Sequence, residues 1–136
     1  KEQGVSHVFA DFIKNIVIEK KNPLPIIGDG EQVRCFTWIE DVAEPIALFS
    51  FDKKTDNQVY NIGNPEPITM KDLARLIYKG DGELMFDSVK DFEHDVLVRI
   101  PDITKIQNEL NFQPKVKVAE AIDKCLKNIE KGKTNV

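Results

Sequence analysis

Two arginines are the residues of this sequence best suited to binding a phosphorylated ligand. Only three arginines occur among the 19 basic residues, and two of them, Arg34 and Arg99, lie outside the predicted helices, next to turns or loops. The planar arginine side chain can donate two parallel hydrogen bonds to a phosphate, whereas lysine serves as a point charge. The pattern therefore indicates a phosphate site, while the alternative that both arginines are surface residues paired with acids stays open.

The stretch from Pro23 to Asp41 gives Arg34 its setting. A short apolar run at 24–27 precedes a glycine turn at 28–30, and Arg34 then opens a second strand-like run that extends to Ile39. Two strands joined by a glycine turn, with a cation at the entrance of the second, suit a phosphate-bearing ligand. The glycines also match half of a dinucleotide-binding fingerprint, but Val33 stands where the third glycine belongs, so a hairpin turn is the preferred interpretation.

The elements that must position these arginines follow from hydrophobic spacing and end signals. Ser6, Asp41 and Thr69 are predicted helix N-caps, and Asn111 is predicted to end a helix. The sum is an α/β fold, a small mixed domain of four to five helices and short strands. The predicted helices are Ser6–Lys20, Val42–Asp52, Met70–Tyr78, Ile103–Leu110 and Val118–Glu130, and the predicted strands are Leu24–Ile27, Arg34–Ile39, Gln58–Ile62 and Glu83–Phe86.

Length and composition narrow the class of protein. A chain of 136 residues favours a single domain, and a net charge of -4 without a basic block argues against nucleic-acid binding. No apolar run approaches the roughly 20 residues of a membrane span, and the first residues lack the apolar core of a signal peptide. Cys35 and Cys125 lack metal-ligand spacing, so we expect reduced thiols, no metal and a cytoplasmic protein.

The sequence offers no self-contained catalytic site. Glu40 and Asp41 are adjacent in sequence and do not face each other as a catalytic pair would. His7 and His94 have no partner at ligand spacing, and neither tyrosine is followed four residues later by a lysine that would lower the pKa of its phenol. We therefore expect no catalytic residue in this chain.

Four segments, in order, resemble one enzyme family. They are FIKNIV followed by PLPIIGDGEQVRCFTWIEDVAEPI, then VYNIGNPEPITMKDLARLI, then RIPDITKIQNELNFQPKV, and finally the closing amphipathic helix. Together they span about Val5 to Ile129 and are similar to the C-terminal portion of the NAD-dependent sugar-nucleotide epimerase/dehydratase family, a group of extended short-chain dehydrogenases/reductases. Phe112 stands where the family usually has tryptophan and Asn111 where it has glycine, and the acidic run from Lys90 to Asp95 departs from the family pattern.

The resemblance implies a site for a UDP- or dTDP-linked sugar. By position, Arg34 would contact the diphosphate and Arg99 would be a second basic contact, while Gln32 would belong to the turn beside the phosphates. Leu24, Pro25, Ile26 and Ile27 would lie against the nucleobase, partly through backbone groups. Asp41 and Asp102 are expected to cap or brace the structure.

The resemblance also implies what these 136 residues lack. The glycine-rich cofactor loop and the Tyr-x-x-x-Lys pair of the family have no counterpart in them, so residues 1–136 are expected to be one substrate-binding lobe without the NAD-binding Rossmann lobe. NAD would act in the parent enzyme, an isomerase or lyase of cell-surface polysaccharide synthesis, and the chain alone is predicted to be inactive. The alternative is a stand-alone, non-catalytic binding or interaction module. Either version is expected to self-associate through an exposed apolar face.

Overall fold

The computed structural model describes residues 7–89 and 95–132, and these form a small mixed α/β fold as predicted. Helices and short strands alternate along the chain. In order they are α1 (Val8–Phe12), which continues as a π-helical segment (Ile13–Ile18), β1 (Leu24–Ile27), β2 (Val33–Cys35), α2 (Glu40–Phe49), a 3-10 turn (Lys53–Thr55), β3 (Pro67–Thr69), α3 (Met70–Ile77), β4 (Phe86–Val89), α4 (Thr104–Leu110) and α5 (Val118–Glu130).

The four strands form two separate pairs. β1 pairs in parallel with β4, in a register that runs from Leu24 opposite Phe86 to Ile27 opposite Val89. β2 pairs antiparallel with β3, with Arg34 opposite Ile68. The expected hairpin between β1 and β2 is therefore wrong, because the glycine turn joins strands of two different sheets.

The start of α3, and not a partner strand, holds the glycine turn. The backbone N–H groups of Met70 and Lys71 have no acceptor inside their own helix. They donate instead to the carbonyls of Gln32 and Gly30, each at 3.1 Å. Gly30 has φ +75°, and a Cβ at this position would lie 2.5 Å from Cδ1 of Ile26. The turn thus needs glycine both for its backbone conformation and for its close packing on β1.

The main core lies between the π-helical segment, β1, α3 and α5. Because α3 and α5 are amphipathic, each buries one stripe and leaves the other face in solvent. The predicted apolar stripe of α3 is confirmed except at Leu76, which is 36% exposed. The buried cluster consists of Phe12, Ile13, Ile16, Leu24, Ile26, Met70, Leu73, Ala74, Ile77, Leu84, Val118 and Ile122.

A second, smaller cluster surrounds α4. Ile103, Ile106 and Phe112 are buried there, and Tyr60 and Ile62 pack against them. The strand predicted at 58–62 is wrong, because this stretch has no ladder partner in the described structure and contributes side chains to the cluster as irregular chain. Asn111 has φ +54° at the end of α4, which confirms the predicted helix stop.

The helix ends test the predicted caps. Thr69 caps α3, since its Oγ1 accepts the backbone N–H of Asp72 at 3.1 Å, and α5 runs from Val118 to Glu130 as predicted. Asp41 does not cap α2, because the helix already begins at Glu40. Ser6 lies outside the described residues, as do Lys90 to His94 of the acidic run. Within the described residues, no helix has the length and apolar character needed to cross a membrane.

Candidate phosphate-binding site

Backbone pairing places the two arginines that are predicted to bind phosphate on neighbouring segments. The segment around Val98 runs parallel to β2 on the edge opposite β3, in a bridge that pairs Val33 with Val98. The N–H of Val33 donates to the carbonyl of Leu97 at 2.7 Å, and the N–H of Arg99 donates to the carbonyl of Val33 at 3.1 Å. One step further in this register, Arg34 and Arg99 occupy neighbouring positions on adjacent backbone segments. The backbone positions of two cations far apart in sequence therefore lie side by side in the fold.

Both terminal nitrogens of the Arg34 guanidinium group have hydrogen-bond partners. Its Nη1 donates to the carbonyls of Val33 at 2.8 Å and Leu97 at 3.4 Å. Its Nη2 forms an ion pair with Oδ1 of Asp95 at 2.8 Å, and both side chains are mostly buried. The Arg99 side chain is exposed. Arg34 is thus preoriented, whereas Arg99 extends the positive charge towards solvent.

Gln32 stabilises the glycine turn from inside. It is 5% exposed, and its Nε2 donates to the carbonyl of Ile27 at 3.2 Å. Its Oε1 is buried and has no hydrogen-bond partner among the described residues. Asp29 accepts the N–H of Glu31 at 2.9 Å, and Glu31 pairs with Lys71 of α3 at 2.9 Å. The turn that leads into β2 is therefore a fixed element, and Gln32 is part of it.

β1 presents only one face for a ligand. The side chains of Leu24 and Ile26 are 0% and 3% exposed and belong to the core, whereas Pro25 and Ile27 are half-buried. Successive residues of a strand point to opposite faces, so Pro25 and Ile27 share the face that does not enter the core. Side-chain contact with a nucleobase thus falls to these two residues, and Leu24 and Ile26 can contribute backbone groups only.

The two flanking aspartates have bracing roles. Asp41 is buried, and its Oδ2 accepts the backbone N–H groups of Lys115 at 3.0 Å and Val116 at 2.9 Å. Asp102 accepts the N–H of Thr104 at 2.9 Å at the start of α4. Hydrogen bonding by the Thr104 side chain, together with its backbone N–H, lowers the pKa of Asp102. These contacts fix the chain that follows each of the two arginines.

Asp95 is the site residue that sequence reasoning missed. In the sequence it belongs to the acidic run that begins at Lys90 and has no evident partner, yet in the fold its carboxylate contacts Arg34. The two residues are 61 positions apart, and no local pattern in the sequence marks such a pair. The alternative that an arginine is paired with an acid therefore applies to Arg34. The backbone register nevertheless places Arg34 next to Arg99.

In the part of the chain that the structure describes, the cysteines and acidic side chains form no metal centre. Burial raises the pKa of the Cys35 thiol, with a smaller contribution from the charge of Glu66, and burial also raises the pKa of Cys125. Both cysteines are free and half-buried. Within residues 7–89 and 95–132, no three acidic, cysteine or histidine side chains are grouped so that they could hold a metal ion.

An open cleft of about 380 Å³ lies beside the segment at 115–116 that Asp41 braces. It contains none of the predicted ligand residues. The N–H groups of Lys115 and Val116 in its wall already donate to Asp41, so they are not available to an anion. The cleft is lined by Asn64, Pro65, Glu66, Gln107, Gln113, Pro114, Lys115, Val116 and Lys117.

Comparison with known proteins gives one consistent result. The family model described as GDP-mannose 4,6 dehydratase matches residues 1–125. UDP-glucuronic acid decarboxylase 1 of Arabidopsis thaliana is 29% identical over 121 residues, which cover 88% of this chain and 27% of that protein. The UDP-glucose 4-epimerase of Thermotoga maritima, solved with UDP-glucose, superposes with a TM-score of 0.79 at 28% identity, covering 97% of this chain and 42% of that one.

A second solved structure is similar. The UDP-glucuronic acid 4-epimerase of Bacillus cereus, in complex with UDP-glucuronic acid and NAD, superposes with a TM-score of 0.77 at 25% identity, covering 93% of this chain and 40% of that one. The present chain thus spans less than half the length of each of these three proteins.

Proposed function

Because this chain belongs to the NAD-dependent sugar-nucleotide epimerase/dehydratase family, we propose that it is the C-terminal substrate-binding portion of such an enzyme. Its ligand would be a UDP- or dTDP-linked sugar, and its partner an NAD-binding Rossmann lobe outside these 136 residues. Relatives that act on UDP-sugars, by their names, support this class of ligand.

One observation carries the proposal: the register that sets Arg34 beside Arg99. A nucleoside diphosphate carries two adjacent phosphate groups, and two neighbouring guanidinium groups can each donate charge-assisted hydrogen bonds to one of them. In this arrangement Arg34 would bind one phosphate and Arg99 the other, with the turn at Gln32 holding the start of β2 in place. The half-buried face of Pro25 and Ile27 on β1 would receive the base.

The residues present do not fit the phosphates of NAD. Gly28 and Gly30 lie between two strands of different sheets, whereas a dinucleotide loop leads from a strand directly into a helix. Val33, in place of the third glycine, is already committed to the pairing with Val98. We therefore assign no NAD contact to this chain, and the outcome of the complete reaction, whether epimerisation, dehydration, decarboxylation or reduction, depends on the other lobe. Free thiols at Cys35 and Cys125 fit the proposed cytoplasmic location.

The test is a calorimetric titration of the purified chain with UDP. We expect saturable binding, and the variant Arg34→Ala should lose at least about tenfold in affinity, because a charge-assisted contact to phosphate disappears. Arg75→Ala is the matched control: Arg75 lies on the exposed face of α3, paired with Asp72, and its loss should leave UDP affinity unchanged. Absence of UDP binding by the unaltered chain would contradict the proposal.

A second function, that of a non-catalytic interaction module, has one observation in its favour. Helix α2 leaves apolar side chains in solvent, among them Ile46 at 50% and Leu48 at 64% exposure, and Phe51 just beyond the helix is 90% exposed. Exposed apolar surfaces of this kind mark association sites. A chain that associates through this surface but fails to bind UDP would favour the module over the sugar-nucleotide lobe.

A further inference from the structure

The ion pair between Arg34 and Asp95 occupies the cation that the proposed function assigns to the diphosphate. The Nη2–Oδ1 distance is 2.8 Å, and the side chains are only 20% and 26% exposed. The same Oδ1 accepts the backbone N–H of Val96 at 2.8 Å. The carboxylate of Asp95 is therefore fixed by its own backbone in a position facing the guanidinium group.

The remaining contacts of Arg34 define where an anion can bind. Nη1 is directed to the carbonyls of Val33 and Leu97, which belong to the two backbone segments that the bridge joins. These contacts orient the guanidinium group without neutralising its charge. Among the residues that the structure describes, the anionic group that contacts Arg34 is the Asp95 carboxylate, and it does so at Nη2. A phosphate oxygen that approaches Nη2 on this side would therefore compete with the Asp95 carboxylate for the same nitrogen.

We propose that Asp95 is an internal counter-anion of Arg34, which a bound nucleoside diphosphate must displace, so that Asp95 limits the affinity of the site. The inference rests on the proposed function, and it adds Asp95 as a residue that determines how tightly the site binds a diphosphate. Asp95 opposes the ligand in two ways, since it occupies Nη2 and its negative charge repels the incoming phosphates. Ligands without phosphate do not need Nη2 and are not subject to this competition.

The experiment compares UDP and uridine binding to the chain and to Asp95→Asn by calorimetry at low ionic strength. Asparagine keeps the size of the side chain and an oxygen for the N–H of Val96, but it removes the charge. We expect UDP affinity to rise about two- to fivefold, the range that loss of one ion pair of this kind allows, with uridine affinity unchanged. Asp95→Ser, which also keeps an acceptor for Val96, should change UDP affinity in the same direction.

Two controls separate this effect from a general change in charge or folding. Asp123 lies on α5 and forms an exposed ion pair with Lys79. Asp123→Asn removes the same charge there and should leave UDP affinity unaltered. In the background of Arg34→Ala, replacing Asp95 should have no effect on UDP affinity, because the cation for which both compete is gone. Thermal unfolding of each variant establishes that it is folded.

The outcomes are distinct for the two proposals. If the chain binds UDP and Arg34→Ala weakens that binding, but Asp95→Asn and Asp95→Ser bind UDP no tighter than the chain itself, the counter-anion role is wrong and the proposed function stands. If neither the chain nor the Asp95 variants bind UDP, the proposed function is wrong and this inference is overturned with it.

Discussion

The carboxylate of Asp41 accepts the backbone N–H of Val116 at 2.9 Å, although 75 residues separate the two. The same oxygen accepts the N–H of Lys115 at 3.0 Å, so one buried side chain ties the first turn of α2 to the segment that leads into α5. A charged acceptor that serves two part-buried backbone donors is costly to remove, because both donors lose this partner.

We therefore predict that Asp41→Ala lowers the free energy of unfolding by about 2–3 kcal/mol. Glu40→Ala is the matched control, since Glu40 is the exposed neighbour in the same helical turn, and its loss should change stability by less than about 0.5 kcal/mol. Urea denaturation followed by circular dichroism measures both. Equal stability of the two variants would show that Asp41 does not brace the fold.

The N-cap of α3 gives a prediction about acid stability. The Thr69 hydroxyl, and after it Arg75, lower the pKa of Asp72 from its ordinary value. A carboxyl whose pKa is lower in the folded state contributes stability that is complete above its unfolded value, near pH 4, and is lost as the pH falls through the folded value. Asp72→Asn should therefore lose less stability than the unaltered chain between about pH 5 and pH 2.

The same cap can be removed at neutral pH. Thr69→Ala should lower the free energy of unfolding by about 1 kcal/mol, because the N–H of Asp72 loses the acceptor that begins the helix.

Asp123→Asn serves as the control in the acid series: Asp123 lies on the exposed face of α5, and its replacement should leave the acid sensitivity of the chain as it was. A wild-type acid profile in Asp72→Asn would contradict the linkage between Asp72 ionisation and folding.

Local signals in the sequence predict local structure well in this protein. The bounds of α5, the cap at Thr69 and the stop at Asn111 each depend on residues within one or two helical turns, so periodicity and cap chemistry suffice. The glycine turn shows where this fails. Its residues suit a hairpin, but the carbonyls of Gly30 and Gln32 are taken by the start of α3, about 40 residues away along the chain, and β1 pairs with β4 instead.

The candidate site shows the same division. Arg34 and Arg99 stand out by residue type, and the family resemblance assigns both to a diphosphate. Their adjacency, however, depends on the pairing of Val33 with Val98, and the partner of Arg34 depends on the path of the chain back to Asp95. Contacts between residues more than sixty positions apart are decided by the packing of the whole domain, and no short sequence pattern encodes them.

Arg99 should determine how the site distinguishes a diphosphate from a monophosphate. If Arg34 binds one phosphate and Arg99 the other, Arg99→Ala will weaken UDP binding about three- to tenfold while UMP binding changes little, because only UDP carries the second phosphate. Arg99→Lys keeps the charge but loses the planar fork, so its UDP affinity should lie between those of the unaltered chain and Arg99→Ala. The measurement is the ratio of UDP to UMP affinity in each variant. An equal loss for UDP and for uridine would mean that Arg99 acts through the fold and contacts no phosphate.

The outer face of α2 should make the isolated chain associate with itself. Ile39, Ile46 and the nearby Phe51 are 67%, 50% and 90% exposed, and Ile39 and Ile46 are seven residues apart, so they lie on one side of the helix. Burying such a surface is favourable even when its usual partner is absent. We expect the weight-average mass in sedimentation experiments to rise above 15.5 kDa as the concentration increases.

The double variant Ile46→Ser/Phe51→Ser should restore a monomer without changing the net charge. Val59→Ser is the control, since Val59 is an apolar residue that is 84% exposed and lies outside α2, and its loss should leave association unaltered. If the unaltered chain stays at 15.5 kDa at high concentration, the α2 face does not drive self-association. If the Val59 variant alone becomes monomeric, the association surface lies around Val59 instead of on the helix.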